Sequence, residues 1–454
     1  MTKQLDFLTL EVGSTITKAN GFVKCEDNTL THVAQGFAPT TVAQGNVGIG
    51  ILAAVNDLEE RSSYGTDTCE VFANSSAAGG LRVTVHGLTY NMTARAAKEA
   101  SLGAGAIITK VTAGELSEDD LLDIEELSPN MIVLAGGVDY GAKETILSNA
   151  IKLAAMDIGA PVVYAGNAAL TRAVGNAFHR TGIEFITVPN VFPDVDQLNV
   201  EPLRKRMQEL FSKNIVKAPG MKRLEALSNH PIIPTPAAVL RTAEIFAEVL
   251  GDVLVIDVGG ATTDVHSVTD GSKEYADKLV EPEPHAKRTV EGDLGVFVNA
   301  KNVIELSEEA SRLEKESEIK AIPDTSSEKE MTSWLCRKAV EFGVRRHAAQ
   351  LSDIYTPSGR RQVIKGKDLT AVKYVIGTGG ALTRVEGGRQ LLSSICTGAG
   401  KYLMPCKEAK VLIDSDYLFS ALGTISVDYH DLVVNTIKKW SIQSDKLFSI
   451  QDKL

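Results

Sequence analysis

Short apolar runs punctuate the chain at 5–12 and 20–24, and again at 131–135, 161–165, 184–188, 253–258, 373–377 and 410–413. Runs of this length bounded by turn residues predict strands. The first two are joined by Gly-Ser-Thr, which predicts a β-hairpin opening the fold rather than a strand feeding a helix. Between the later runs, 142–157, 168–181, 201–214 and 236–250 carry helical patterns, and the alternation of the two predicts an α/β fold. From about 303 to 330 the chain is rich in Glu, Lys and Ser and reads as a surface helical subdomain. Pro231, Pro234 and Pro236 cluster just before the 236–250 helix, where prolines end one element and start the next, so a domain crossing is expected near 230–235.

With 454 residues the chain is long enough for two to four domains, or two lobes with insertions. Its 44% hydrophobic and 23% charged residues are those of a globular protein. The net charge of −11 disfavours nucleic acid and anionic lipid as partners. Two short basic runs, Arg204-Lys205-Arg206 and Gly359-Arg360-Arg361 through Lys367, read as an exposed helix face or a polar hairpin. The five cysteines are scattered without a C-x-x-C pair, which argues for reduced thiols and against zinc. No long uncharged stretch suggests a signal peptide or membrane span, so a cytoplasmic location is expected.

Three Gly/Thr-rich turns carry the candidate chemistry. In Leu8-Thr9-Leu10-Glu11-Val12-Gly13-Ser14-Thr15-Ile16-Thr17-Lys18, a glycine lets the backbone turn sharply, so that hydroxyls and amides face outward as phosphate donors; a plain hairpin turn is the alternative. The stretch Val253-Leu254-Val255-Ile256-Asp257-Val258-Gly259-Gly260-Ala261-Thr262-Thr263-Asp264 repeats the pattern, with Asp257 placed to hold Mg²⁺ through water. In Tyr374-Val375-Ile376-Gly377-Thr378-Gly379-Gly380-Ala381-Leu382-Thr383, adjacent glycines would let a flat ring such as adenine lie against the backbone before a helix begins. Met131 to Asp139 has a similar Gly-Gly shape and reads as structural or partner-facing. No G-x-x-x-x-G-K-[ST] string exists, which excludes a P-loop, and Leu382 stands where a dinucleotide fingerprint needs its third glycine.

In order and spacing the three turns resemble the phosphate-1, phosphate-2 and adenosine motifs of the actin, heat-shock-chaperone and sugar-kinase ATPase superfamily. That resemblance implies a two-lobed actin-like ATPase with duplicated ribonuclease H-like domains closing on ATP and Mg²⁺. Pro234-Thr235-Pro236-Ala237-Ala238 and Asp416-Tyr417-Leu418-Phe419-Ser420-Ala421-Leu422-Gly423 resemble its two connecting helices. Glu11 stands where the superfamily usually has Asp. Within it, Gly13-Ser14-Thr15 with Thr17-Lys18, Leu134-Ala135-Gly136-Gly137-Val138-Asp139, Ala165-Gly166-Asn167, Pro189-Asn190-Val191-Phe192-Pro193, Thr235-Pro236 and Arg288 to Gly295 are together similar to the MutL/GlmL-type accessory proteins of coenzyme-B12-dependent glutamate mutase.

This resemblance implies an ATP-dependent reactivating chaperone whose partner is an adenosylcobalamin-dependent mutase, and from which damaged cobalamin is released. The string Asp264-Val265-His266-Ser267-Val268-Thr269 lacks the glycine that base-off cobalamin binding would require, so the cobalamin is expected to belong to the partner. The expected catalytic and metal-holding residues are Asp257 and Glu11. The expected nucleotide contacts are Gly13, Ser14, Thr15, Lys18, Gly259, Gly260, Thr262, Thr263, Gly292, Asp293, Gly377, Thr378, Gly379 and Gly380, with Asp264 behind them. The expected divisions are a first lobe over 1–100, an inserted α/β partner-binding region over 101–232, a connecting helix and second-lobe start over 233–302, a mostly helical subdomain over 303–370 and the adenosine motif with closing helices over 371–454. A reactivase of another cobalamin enzyme such as an aminomutase, a sugar or carboxylate kinase and a filament-forming protein are the alternatives.

Overall fold

The computed structural model describes residues 3–76, 81–179, 181–215, 220–307, 317–356, 359–384 and 386–443. Their contacts group into two units. One comprises Met1–Asn74, Leu227–His230 and Ala238–Leu454, and the other Ser75–Ala226 with Pro231–Ala237.

The first unit opens with a meander of β1 (Phe7–Val12), β2 (Ile16–Lys24) and β3 (Leu30–Pro39), on which helix α1 (Val47–Arg61) packs. Every residue of β1 is buried, which is what its apolar run requires. Strand β4 (Glu70–Ser75) lies on the far side of β1, giving the order β4-β1-β2-β3.

The chain then builds the second unit, a wound sequence of β5 (Leu81–Gly87), α2 (Arg95–Gly103), β6 (Ala106–Ala113), α3 (Glu118–Leu127), β7 (Met131–Leu134), α4 (Glu144–Ala154), β8 (Val162–Tyr164), α5 (Thr171–Phe178) and β9 (Phe185–Thr187), with α6 (Glu201–Ile215) after it. All four pairings are parallel and the order is β6-β5-β7-β8-β9, that of flavodoxin-like doubly wound sheets. The sequence-based boundary after residue 100 is corrected here. Strand β5 pairs with β6 and β7 in this sheet, so the inserted unit begins near Ser75.

Returning to the first unit, α7 (Thr235–Leu250) leads to β10 (Val253–Val258), β11 (Thr263–Val268) and β12 (Ala286–Glu291), then α8 (Ser326–His347). A hairpin of β13 (Gln350–Thr356) and β14 (Gly359–Lys365) follows, then β15 (Tyr374–Thr378), α9 (Gly380–Arg384), α10 (Gly388–Ser394), β16 (Lys410–Ile413), α11 (Leu418–Ile425) and α12 (His430–Gln443). The second sheet runs β12-β11-β10-β15-β16. It repeats the plan of the first: an antiparallel meander with the next strand placed on the outer side of the meander's first strand.

One core joins these sheets. Phe7, Phe22 and Phe72 from the first meet Val253, Val255, Ile376 and Leu412 from the second through Phe246 of α7, Phe419 of α11 and Val433 of α12. Burying each of these aromatic side chains is worth roughly 1.5–3 kcal/mol. The stretch expected to be mostly helical over 303–370 contains α8 but also the β13–β14 hairpin, because Gly359-Arg360-Arg361 sits on a polar hairpin strand; residues 308–316 lie outside the described residues. Arg204-Lys205-Arg206 lies on α6.

Candidate functional site

The two hairpins of the first unit turn in the same way. The Gly13 amide donates to the Ile16 carbonyl at 3.1 Å and the Gly259 amide to the Thr262 carbonyl at 2.9 Å. Each turn follows a carboxylate, Glu11 or Asp257, that ends a buried strand. In register across each hairpin, Glu11 faces Lys18 and Asp257 faces Asp264. The amides of Gly13 and Gly259 are thus committed to closing their own turns, which corrects the expectation that they face a phosphate. Ser14 and Thr15 stand exposed at the first tip. The second tip is held from below by Asn299, whose Nδ2 donates to the carbonyls of Ala261 (2.7 Å) and Gly292 (2.8 Å).

Glu11 is buried and both its oxygens are engaged: Oε1 accepts from Lys18 Nζ at 2.7 Å and Oε2 from the Ser420 hydroxyl of α11. Lys18 Nζ also lies 4.4 Å from the ring centroid of Tyr417. Burial opposes the Lys18 charge, but the attraction of Glu11, with smaller contributions from Tyr417 and Asp257, outweighs it and holds the ammonium above its ordinary range.

Asp257 has the opposite surroundings. Burial first, then the carboxylates of Asp264, Glu11 and Asp414, push its carboxyl up to about 7, with Lys18 pulling the other way. Asp264 is itself tied to Arg288, whose Nε donates to Oδ1 at 2.8 Å. Asp414 is fully buried at the end of β16, where it accepts from Thr378 Oγ1 (2.9 Å) and the amides of Leu418 (2.8 Å) and Phe419 (3.1 Å), capping α11. Burial raises it to about 6 despite those bonds.

Four expected contacts are placed differently from the sequence reading. Thr263 is buried and donates to the Leu294 carbonyl at 2.7 Å, so its hydroxyl belongs to the core. Asp293 is held by Arg346 at 2.7 and 2.9 Å, and that guanidinium also grips Glu291 and keeps the Asp293 carboxyl below its usual range. Gly377 is buried, and a β-carbon there would lie 2.7 Å from Leu392 Cδ1. The Thr378 hydroxyl is directed to Asp414. By contrast Gly380 is exposed, and a β-carbon on it would meet only the Tyr417 hydroxyl, at 3.9 Å, while one on Gly292 would meet nothing within 4 Å. Gly379 takes φ +85° and lies against Asp257, joining the turn after β15 to the second hairpin.

Sequence reasoning missed Asp414, Ser420, Arg288 and Arg346 as members of this cluster. Asp414 carried a signal, since an apolar run ending in Asp at 410–414 repeats the pattern of 253–257. The other three are brought in by helices and strands far away in the chain.

Among the described residues, no three His, Cys, Asp or Glu side chains form a group that could hold a metal ion. The donor set nevertheless suits a hard cation bound chiefly through water: Asp257 is part-buried among like charges, and the turns at Gly292 and Gly380 leave backbone uncovered, whereas the Gly260 carbonyl accepts from the amides of Phe297 and Val298. The set therefore fits Mg²⁺ and a nucleotide's phosphates.

Solved structures similar to the chain include acetone carboxylase in its nucleotide-free form, 14% identical over 93% of this chain and 70% of that one with a TM-score of 0.37. Another is component A of (R)-2-hydroxyglutaryl-CoA dehydratase from Acidaminococcus fermentans, 10% identical over 94% and 98% with a TM-score of 0.32. A glycerol dehydratase reactivase is 9% identical over 86% and 94% with a TM-score of 0.29. Among curated sequences, Protein MutL of Clostridium tetanomorphum is 35% identical over 96% of this chain and 99% of its own length. The MutL protein family model matches residues 7–441. The duplicated hairpins, their carboxylates and the inserted parallel sheet are thus those of a chain that belongs to the MutL protein family.

Proposed function

We propose that this chain is an ATP-dependent reactivating factor for an adenosylcobalamin-dependent mutase, with glutamate mutase as the first candidate client. The observation that carries the reading is the convergence of Glu11 and Lys18 on one hairpin, Asp257 and Asp264 on its equivalent, and Asp414 after β16, in a chain whose family resemblance is to accessory proteins of that mutase. Ser14 and Thr15 would receive phosphates, joined by Thr262 if its hydroxyl turns from Asp264 Oδ2, to which it donates at 3.3 Å. Asp257 would hold Mg²⁺ through its waters, and Gly379 and Gly380 would border the adenosine. Bound Mg²⁺ would supply charge neutralisation for phosphoryl transfer to water.

In this role Asp257 needs to be ionised, and a cation beside it lowers its proton affinity. Lys18, anchored by Glu11, contributes a fixed positive charge between the hairpins. Ser420 and Arg288 act through their neighbours: one keeps Glu11 aligned, the other holds Asp264 in place. The inserted parallel unit is the proposed client-gripping element, and nucleotide occupancy would change client affinity only through different contacts in the two states.

The test is a restart assay. Glutamate mutase inactivated by turnover is mixed with this protein, Mg²⁺ and fresh adenosylcobalamin, with and without ATP. Recovery only with ATP supports the reading. ATP hydrolysis without recovery removes glutamate mutase as the client and directs the assay to aminomutases. No hydrolysis at all removes the ATPase reading.

A further inference from the structure

Tyr417 immediately precedes α11, in the turn that Asp414 caps. Its backbone takes φ +55°, where a bulky side chain is an outlier. Its amide donates to the Asp414 carbonyl at 3.2 Å, and Gln35 Nε2 of β3 donates to the neighbouring Asp416 carbonyl at 2.6 Å, so the turn is fixed from two sides. The side chain that results is 5% exposed.

The ring of Tyr417 lies against one row of the first sheet. In register across β1, β2 and β3, Glu11, Lys18 and Phe37 stand side by side on one face. The Tyr417 ring centroid is 4.4 Å from Lys18 Nζ and 6.3 Å from the Phe37 centroid, edge to face. A cation this close to an aromatic face is attracted by the ring's quadrupole.

The hydroxyl of the same side chain reaches a second cation. Arg384 Nε, at the end of α9, donates to it at 2.9 Å, and the guanidinium carbon lies 5.2 Å from the Tyr417 ring and 5.5 Å from the Phe37 ring. The hydroxyl is also what a β-carbon on Gly380 would meet, at 3.9 Å. The two cations differ in what balances them. Lys18 has the Glu11 carboxylate at 2.7 Å. Arg384 is exposed, and among the described residues the hydrogen bond of its guanidinium is to the Tyr417 hydroxyl. A guanidinium held at Nε keeps its terminal nitrogens for other acceptors.

We infer, on the reading of this site as one for ATP, that Tyr417 is a positioning residue for the nucleotide: its ring holds Lys18 for the phosphates and its hydroxyl holds Arg384 for the nucleoside end. Both cations are thereby fixed before the ligand arrives, which lowers the entropy lost on binding. The two contacts act on different parts of the ligand and are separable by substitution.

The test is a competition titration of the full chain in Mg²⁺ with a fluorescent ATP analogue, displaced either by ATP or by inorganic tripolyphosphate, which lacks the nucleoside. Tyr417→Phe keeps the ring and removes the hydroxyl. It is expected to weaken ATP about fivefold and tripolyphosphate less than about twofold. Arg384→Ala is expected to weaken ATP about tenfold, and adding Tyr417→Phe to it should cost nothing further, because the hydroxyl acts through Arg384. Tyr417→Asn tolerates the left-handed backbone but removes the ring, so tripolyphosphate should weaken too, about fivefold. With wild-type binding intact, an unchanged ATP affinity in Tyr417→Phe, an equal loss for both competitors, or a loss undiminished in the Arg384→Ala background overturns the assignment of Tyr417 and leaves the ATP reading standing. Absence of saturable nucleotide binding by the wild-type chain removes both.

Discussion

Lys18 and Asp264 occupy equivalent places in the two hairpins, each opposite, in register, the carboxylate that ends the preceding strand. At the first hairpin this gives Glu11 a counter-ion at 2.7 Å. At the second it sets Asp257 against another carboxylate. The duplicated fold thus holds one neutralised and one uncompensated acid, and the uncompensated one is the group that a bound cation would relieve.

Replacing Asp257 with Asn is expected to abolish Mg-ATP turnover while making the folded chain more stable in mild alkali. A carboxyl that holds its proton more tightly when folded takes stability away as pH rises from its ordinary value of 3.8 toward about 7. Asn removes that loss. An increase of about 1–2 kcal/mol in unfolding free energy at pH 8, vanishing near pH 4, would be read from urea titrations; unchanged turnover in this variant would remove Asp257 from its role.

On the acid side the sign reverses. His32 and His86 are held down to about 4 and about 3 by burial, and burial also keeps His266 and His347 well below their ordinary 6.5. The unfolded chain takes up protons below pH 6.5 that the folded chain refuses, each such site lowering stability by up to about 1.4 kcal/mol per pH unit. Four histidines outweigh the opposite trend of Asp257 and Asp414, so maximum stability is expected at pH 6–7. Urea midpoints measured at pH 5, 6.5 and 8 would show it, and a midpoint higher at pH 5 than at 6.5 would refute the assignment.

Ser420→Ala leaves Glu11 Oε2 without the hydroxyl that reaches it from α11. The expected loss is about 1–3 kcal/mol, because a buried charged acceptor keeps its desolvation cost when its partner goes. Thermal unfolding measures this. A neutral result would mean that water or Lys18 can take over both oxygens.

Gly423 of α11 faces the Ala238 carbonyl of α7 so closely that no β-carbon fits between them, and a β-carbon would also lie 2.9 Å from Thr242 Oγ1. Gly423→Val is expected to force the helices apart and cost at least about 3 kcal/mol, or prevent soluble expression. Denaturant unfolding of Gly423→Ala and Gly423→Val together should give a graded loss.

Asp293→Asn is expected to change nucleotide affinity less than about threefold while lowering stability by about 1 kcal/mol, because its carboxylate is engaged by the part-exposed Arg346. A large affinity loss measured by nucleotide titration would restore Asp293 as a direct contact.

The sequence by itself determined the strands whose apolar runs are buried, such as 253–258, and the turns where only glycine or small polar residues serve, at 13–15 and 259–262. Local periodicity also placed α6 and α7, whose ranges differ from the expected ones by a residue. These features depend on neighbours a few positions apart. Tertiary structure decided what depends on partners distant in the chain: the Ser420–Glu11 contact, the burial of the Thr263 hydroxyl, the capture of Asp293 by Arg346 and the boundary near Ser75. A polar side chain reads the same in sequence whether it faces a ligand or a buried carbonyl, and only packing, which fixes what lies within hydrogen-bonding distance, distinguishes the two.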